Sequence, residues 1–310
     1  MAHHGHIAPI LARFKDCRIL CVGDLMLDRY LTGSVNRISP EAPIPVLAIE
    51  ATTAMPGAAG NLARNIAALG GIVALIALAG DDEESFELQR MLSAEPGIEP
   101  NLVIEPGRPT TVKMRFVAQG QQLLRADREV ARPIAAHTEE KIIATIRSEI
   151  STSNLLVLSD YAKGVLTDRV IIEAISAAKS AGKIVIVDPK SANLARYAGA
   201  DIIKPNASEL ARGTGMATDT NDEAMSAAKA LLSRNEFGAV LLTRSGAGIM
   251  SLRRGGVPAY FPARAREVFD VSGAGDTALA ALALALAAGV ELEDAAALAN
   301  EAAGIAVSKR

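Results

Sequence analysis

The sequence predicts an α/β fold: a doubly wound, mostly parallel sheet flanked by helices, with a second small β-sheet beside it. Three observations lead there. From residue 155 onward, short apolar strands alternate with amphipathic helices, the rhythm that builds parallel sheets. Strand after strand in that half ends in a polar or charged cluster. Hydrophobic residues make up 50% of the chain, yet aromatics are 3% and Trp is absent. Apolar content made mostly of Ala, Leu, Ile and Val suits helices packed on a sheet buried on both faces. At 310 residues the chain is near the size where single cores stop growing, so one large domain, with or without a small one, is expected.

The elements follow in order. Residues 18–22 read as a buried strand ended by Gly23-Asp24, and Asp28 follows on the same loop. Carboxylates there could accept hydrogen bonds from sugar hydroxyls or simply face solvent. The character changes over 29–55, where 30–35 and 45–49 read as strands joined by a proline-punctuated link carrying Arg37. A second strand pair occupies 111–127, with Lys113 and Arg115 alternating with apolar residues and so sharing a face. Two separated strand pairs inside an α/β chain predict one small sheet outside the main layer, a lid or a dimer surface.

Between those pairs, residues 56–61 are a Gly-rich helix start containing Asn61; a helix over 62–69, a strand over 72–79 and a helix over 82–92 follow. A helix over 137–150 leads into the regular half. There, strands over 155–158, 184–187, 202–203 and 239–242 end in clusters at 159–164, 188–190, 204–206 and 243–246. Helices fall at 168–180, from Asn206 onward and at 222–233; edge strands at 249–252 and 259–261; closing helices at 277–288 and 293–306. In a Rossmann-like sheet all such strand ends share one edge, so these clusters and Gly23-Asp24 converge on one crevice.

Charge and composition exclude several classes. The net charge is −3, which offers no basic field for nucleic acid or an anionic membrane. Cys17 and Cys21 are the only cysteines, too few for a disulfide framework and consistent with a reducing cytoplasm. Four histidines, three of them among the first six residues, assemble no Ser/His/Asp or Cys/His constellation; the N-terminal three are expected on a frayed tail that lacks a signal peptide's apolar core. The apolar run at 277–290 is too short to span a bilayer.

The densest chemistry lies at Asp270-Val271-Ser272-Gly273-Ala274-Gly275-Asp276-Thr277. Small residues allow close backbone approach, and a helix opening after them presents unpaired N–H groups to an anion. Asp276, in the first turn, is expected to be held ionised by the helix dipole. An anion cradle beside a base fits phosphoryl transfer to a hydroxyl; a plain Gly-rich helix start is the alternative.

In its motifs the chain resembles the ribokinase-like (PfkB-type) sugar kinases: Gly23-Asp24 with Asp28, the 57–61 turn, Asn206-x-x-Glu209, Thr243-Arg244 with Gly246, and Gly273-Ala274-Gly275-Asp276 stand in that family's order. Within it, the stretches at 23–30, 37–43, 159–164 and 187–190 are similar to the D-glycero-β-D-manno-heptose 7-phosphate kinases of ADP-heptose and lipopolysaccharide core synthesis. The resemblance implies one kinase domain over 1–310, a β-lid within 29–55 and 111–127, ATP and Mg²⁺, a cytoplasmic enzyme, and a homodimer joined through the lid.

The resemblance also implies residue roles. Asp276 would be the base and Gly273, Ala274 and Gly275 the anion hole. Asp24, Asp28 and Asn61 would hold sugar hydroxyls. Asn206 and Glu209 would organise Mg²⁺ and phosphates through water; Thr243, Gly246 and Asn300 would line the nucleotide; Asp270 would sit at a monovalent cation such as K⁺. A substrate that already carries a phosphate needs cations remote from the reacting hydroxyl, and Arg37, Lys113, Arg115, Lys163 and Lys190 are the candidates. Two departures stand out: Ala58 and Gly60 exchange the small residues usual in the 56–61 turn, and the nucleotidyltransferase domain that many relatives carry is expected on a separate enzyme. A kinase of another acceptor, or a non-catalytic sugar or nucleotide sensor, are the rival readings.

Overall fold

The computed structural model describes residues 4–264 and 273–308. A first helix, α1 (His4–Ala12), stands where a frayed tail is expected, and β1 (Arg18–Gly23) follows. The chain then enters two 14-residue strands, β2 (Leu25–Ile38) and β3 (Pro45–Ala58), and passes without a linker into α2 (Ala59–Ala68). Next come β4 (Ile72–Ala79), α3 (Glu83–Ala94), β5 (Ile98–Ile104), β6 (Val112–Ala118) and β7 (Gln121–Arg128). The regular half holds α4 (Ala136–Glu149), β8 (Leu155–Ser159), α5 (Asp168–Ser180), β9 (Ile184–Asp188), β10 (Ile202–Ile203), α6 (Ala207–Thr214) and α7 (Asn221–Arg234). It ends with β11 (Ala239–Thr243), β12 (Ile249–Arg253), β13 (Ala259–Phe261), α8 (Ala274–Ala287) and α9 (Leu292–Val307).

These strands form a nine-stranded sheet in the order β13-β12-β11-β10-β9-β8-β1-β4-β5 and a four-stranded sheet in the order β3-β2-β6-β7. From β11 to β5 the large sheet is parallel; β12 and β13 add an antiparallel edge. β5 is absent from the sequence expectation because Pro100 interrupts its pattern; an edge strand tolerates proline on its unpaired side. The winding reverses at β1, which lies between β8 and β4. Such a switch point opens a crevice at the strands' C-terminal edge.

Alternation along the strands divides the core in two. Ile19, Cys21, Val73, Leu75, Leu155 and Val157 face α2, α3, α8 and α9; Leu20, Val22, Ala74, Ile76, Leu156 and Leu158 face α4, α5, α6 and α7. One-residue alternation on a parallel sheet with both faces covered is the condition for a doubly wound fold. α8 is apolar all round, with residues 278–286 buried, which makes it a core helix whose first turn alone reaches the crevice.

The small sheet is rooted in the large one by buried polar contacts. A single residue, Asp24, separates β1 from β2, and its carbonyl accepts Ala59 N at 3.0 Å, so the outgoing and returning strands are tied where they leave and rejoin the core. Ala58, at that return point, holds φ 55° and ψ −124°, left-handed backbone that strains any residue with a Cβ. On the β7 side, Arg108 is 5% exposed. It donates to Glu105 Oε1 and to the carbonyls of Val130, Lys163, Arg132 and Pro133, at 2.7–3.3 Å.

Arg108→Ala would leave Glu105 as an uncompensated buried carboxylate and four carbonyls without a donor. We expect it to cost about 3–5 kcal/mol, read as a lower urea midpoint. An unchanged midpoint would show that the clasp carries no stability.

Candidate active site

The five strand-end clusters do lie on one edge, at the ends of the adjacent strands β11, β10, β9, β8 and β1. Over that edge stands the start of α8. Gly273 caps it with φ 75°, and Thr277 N is the amide that closes the first turn, on Gly273 O at 2.9 Å. The amides ahead of it have no carbonyl within the helix to bond. Gly275 is exposed, and among the described residues a Cβ built there meets nothing within 4 Å. Thr277 Oγ1 lies 3.0 Å from Asn65 Oδ1, tying α8 to α2.

Asp276 projects from this turn with one donor on each oxygen. Asn61 Nδ2, on α2, donates to Oδ2 at 2.6 Å, and Tyr161 Oη, just beyond β8, donates to Oδ1 at 2.9 Å. Here the dipole expectation is corrected as to cause, burial being the largest influence on the carboxyl. Burial pushes the Asp276 carboxyl above the ordinary carboxylate value, and the bonds from Asn61 and Tyr161 and the charge of Lys204 pull back only in part. Desolvation outweighs the dipole at this site.

Asp24 is also corrected. It is 1% exposed, and its carboxylate accepts the backbone amides of Tyr161 at 2.8 Å, Lys163 at 3.0 Å and Val165 at 3.2 Å. A carboxylate so engaged fastens the loop after β8 and does not offer itself to a sugar. Asp28, four residues on in β2, faces differently: Arg115 Nη1 donates to its Oδ1 at 2.5 Å, and the same guanidinium stands 5.1 Å from the centroid of the Tyr30 ring. A Cβ at Gly57 would fall 2.1 Å from Asp28 Oδ2, so only glycine lets β3 pass this carboxylate.

Of the cations expected for a remote phosphate, Arg37, Lys113, Arg115 and Lys163 lie on the small sheet and its rim while Lys190 follows β9 on the large sheet's edge, and all but Arg37 meet carboxylates. Arg115 holds Asp28, Lys113 Nζ is 3.0 Å from Asp127, and Lys163 Nζ is 2.8 Å from Glu129. Glu129 also stands 3.7 Å from Lys113, between the two ammoniums. Arg37 is exposed near the outer end of β2.

Along the other half of the edge, Asn206 caps α6. Its Oδ1 accepts Glu209 N at 2.8 Å while Glu209 Oε2 accepts Asn206 N at 2.9 Å, a capping box. Lys190 Nζ approaches Glu209 Oε1 at 3.2 Å. Below them, Lys204 is 3% exposed and pairs with Asp188 at 2.9 Å; burial raises the Asp188 carboxyl, and Lys204 opposes the rise. Thr243 bridges to Asn206, and Gly246 lies exposed in the short turn after β11. The Asn300 side-chain amide donates to Pro262 O at 2.9 Å. Asp270 lies outside the described residues.

Among the described residues no group of three His, Cys, Asp or Glu side chains could hold a metal ion. Glu209 is a single carboxylate on the crevice edge. That donor set fits Mg²⁺, which is commonly held by one or two carboxylates, water and substrate phosphates, and not a caged metal. Sequence reasoning missed Tyr161, Glu129, Arg108 and the Asp188–Lys204 pair. The first and last had a readable signal, since each lies in a cluster at a strand's C-terminal end.

Comparison with known proteins places this arrangement. The chain is 50% identical over 297 residues to the bifunctional protein HldE of Paramagnetospirillum magneticum, covering 96% of this chain and 61% of that protein. It is 49% identical over 305 residues to that of Caulobacter vibrioides, covering 98% and 62%. The chain thus spans about three fifths of the length of these relatives. Arabidopsis thaliana ribokinase, solved with ribose and ATP, shares the fold with a TM-score of 0.73 at 21% identity, over 95% of this chain and 93% of that one. Escherichia coli phosphofructokinase-2, solved with potassium, does so with a TM-score of 0.80 at 22% identity, over 95% and 94%. The profile of the pfkB family carbohydrate kinases matches residues 17–310, and the chain belongs to that family.

Proposed function

We propose that the chain transfers the γ-phosphoryl group of ATP to the C1 hydroxyl of D-glycero-β-D-manno-heptose 7-phosphate, giving the 1,7-bisphosphate used in ADP-heptose and lipopolysaccharide core synthesis. The relatives at 46–50% identity support this acceptor. The observation that carries the chemistry is Asp276, a carboxylate fixed in the first turn of α8 beside open amides.

In this reading Asp276 accepts the proton of the attacking hydroxyl, and the amides of Ala274 and Gly275 face the charge that develops on the transferred group. Asp28 and Asn61 hold sugar hydroxyls on the lid side. Arg37, Lys113, Arg115 and Lys163 hold the 7-phosphate, so Arg115 and the lysines exchange carboxylate partners for phosphate on binding. Thr243 and Gly246 line the nucleotide. Mg²⁺, when bound, shields the phosphate oxygens; Glu209 and Asn206 would hold it through water. A potassium ion near Asp270 belongs to the same reading through the family resemblance.

The lid also supports a homodimer, and a cytoplasmic location belongs to the same reading through the family resemblance. Ile38, Ile44, Ile49, Leu123 and Leu124 on the small sheet are 45–62% exposed, an apolar surface suited to a second copy. Among the described residues no helix is long and apolar enough to cross a membrane.

Three outcomes are expected. ADP release with Mg-ATP should be confined to heptose 7-phosphate in a panel with the unphosphorylated heptose, fructose 6-phosphate and ribose; turnover of another acceptor would discard the proposed substrate. Asp276→Asn should lower kcat on the order of 10²–10⁴-fold. In the wild type, kcat/KM should fall as pH drops through a value above the ordinary carboxylate range, because the raised Asp276 carboxyl is then protonated and cannot accept; near-normal turnover by the variant would sink the base assignment. Finally, Leu124→Glu with Ile49→Glu should convert a dimer to a monomer in sedimentation velocity, and a monomeric wild type would withdraw the dimer.

A further inference from the structure

We propose that Tyr161 is the positioning residue of Asp276, its hydroxyl holding the carboxylate oriented and ionised for proton acceptance. This rests on the reading of Asp276 as the base. The contact is direct, Oη to Oδ1 at 2.9 Å, and complements Asn61 on Oδ2. With one fixed donor on each oxygen, the plane of the carboxylate is set, and its remaining lone pairs face the crevice.

Tyr161 can do this because the loop that carries it is immobilised on both sides. Asp24 accepts the amides of residues 161, 163 and 165. Asp160 accepts Ala162 N at 2.7 Å and the hydroxyl of Tyr197. Ala162 holds φ 56° and Gly164 φ 101°. A Cβ at Gly164 would meet Arg132 O at 1.9 Å. So tight a loop fixes the backbone from which the Tyr161 ring projects. The hydroxyl stays protonated, because burial and then the charge of Asp276 push its ionisation upward; it is a donor at every working pH and never a competing base.

The other groups around Asp276 do not substitute for it. Lys204, just after β10, lowers the carboxyl by charge alone, with its ammonium bonded to Asp188 of β9. Asp28 of β2 raises it. Cys21 of β1 is buried and neutral, its thiol pushed up by burial. Against burial, then, the two hydrogen bonds are the direct contacts that favour the charged form, with the Lys204 charge assisting from a distance.

The test reads the Asp276 carboxyl by ¹³C NMR titration in the free protein, assigned with Asp276→Asn, alongside pH profiles of kcat/KM. In Tyr161→Phe, which keeps the ring, the carboxyl should titrate about one pH unit higher. The acid limb of kcat/KM should move with it, while KM for Mg-ATP stays constant. Replacing Tyr161 by 3-fluorotyrosine, a stronger donor of nearly the same shape, should move both the other way. An unmoved titration in both variants overturns the proposal, as does a loss of kcat equal at all pH with the carboxyl unshifted. Because the titration needs no substrate, a shifted carboxyl in a chain that phosphorylates no sugar would uphold the contact and reject the kinase reading instead.

Discussion

The structure depends on one buried carboxylate, Asp24, and the three backbone amides it accepts. It occupies the single position between a core strand and a lid strand, at the reversal of the sheet. Its side chain reaches across to the loop after β8, and its carbonyl holds Ala59, where the chain returns to the core. One residue therefore sets the direction of β2, the start of α2 and the path of the loop bearing Tyr161. Three charge-assisted hydrogen bonds offset the desolvation that pushes this carboxyl upward. Asn61 reaches Asp276 from α2 and Tyr161 reaches it from the β8 loop, so both arms that fix the carboxylate descend from the Asp24 anchor.

Around that anchor, charge is arranged by depth. Asp24 and Lys204 are buried and engaged with the protein itself. Asp276 lies at the crevice, half-buried, where the cost of its charge is shared by two neutral donors. Asp28, Lys113, Arg115 and Lys163 lie further out on the lid, paired with opposite charges that a substrate could replace. The deep pairs build the scaffold; in the proposed reading the shallow pairs would keep the cations preorganised between turnovers.

Apart from β5, the large sheet, its antiparallel edge strands and the convergence of five clusters were legible because periodicity and strand-end polarity are local properties of sequence. So was the union of 29–55 with 111–127 in a second sheet. What was not legible was the direction of side chains whose partners are remote. Asp24 and Asp28 look alike in sequence, but only the path of residues 161–165 decides that one faces inward to amides and the other toward the lid. Tyr161 was quoted as part of a motif without a role, because its partner is 115 residues away. The upward pull on Asp276 was out of reach for a related reason: the helix dipole can be read from sequence, whereas desolvation depends on everything packed around the carboxyl.

The parallel pairing of β2 with β6 has a consequence for the order in which the chain assembles. Asp28 lies opposite Lys113 in that register, and nothing local brings the two together. β2–β3 and β6–β7 are hairpins that can form on their own, while β2–β6 must close a long loop, which is slow. The strands of the nucleotide edge follow one another through short helical crossovers and carry no such delay. The β1–β8 pair of the large sheet closes a longer loop still, so refolding is expected to reach a stage with β8 to β11 assembled and both long-range joins unmade. At that stage the strand ends carrying Tyr161, Asp188 and Asn206 would lie side by side before the strands carrying Asp28 and Arg115 are joined.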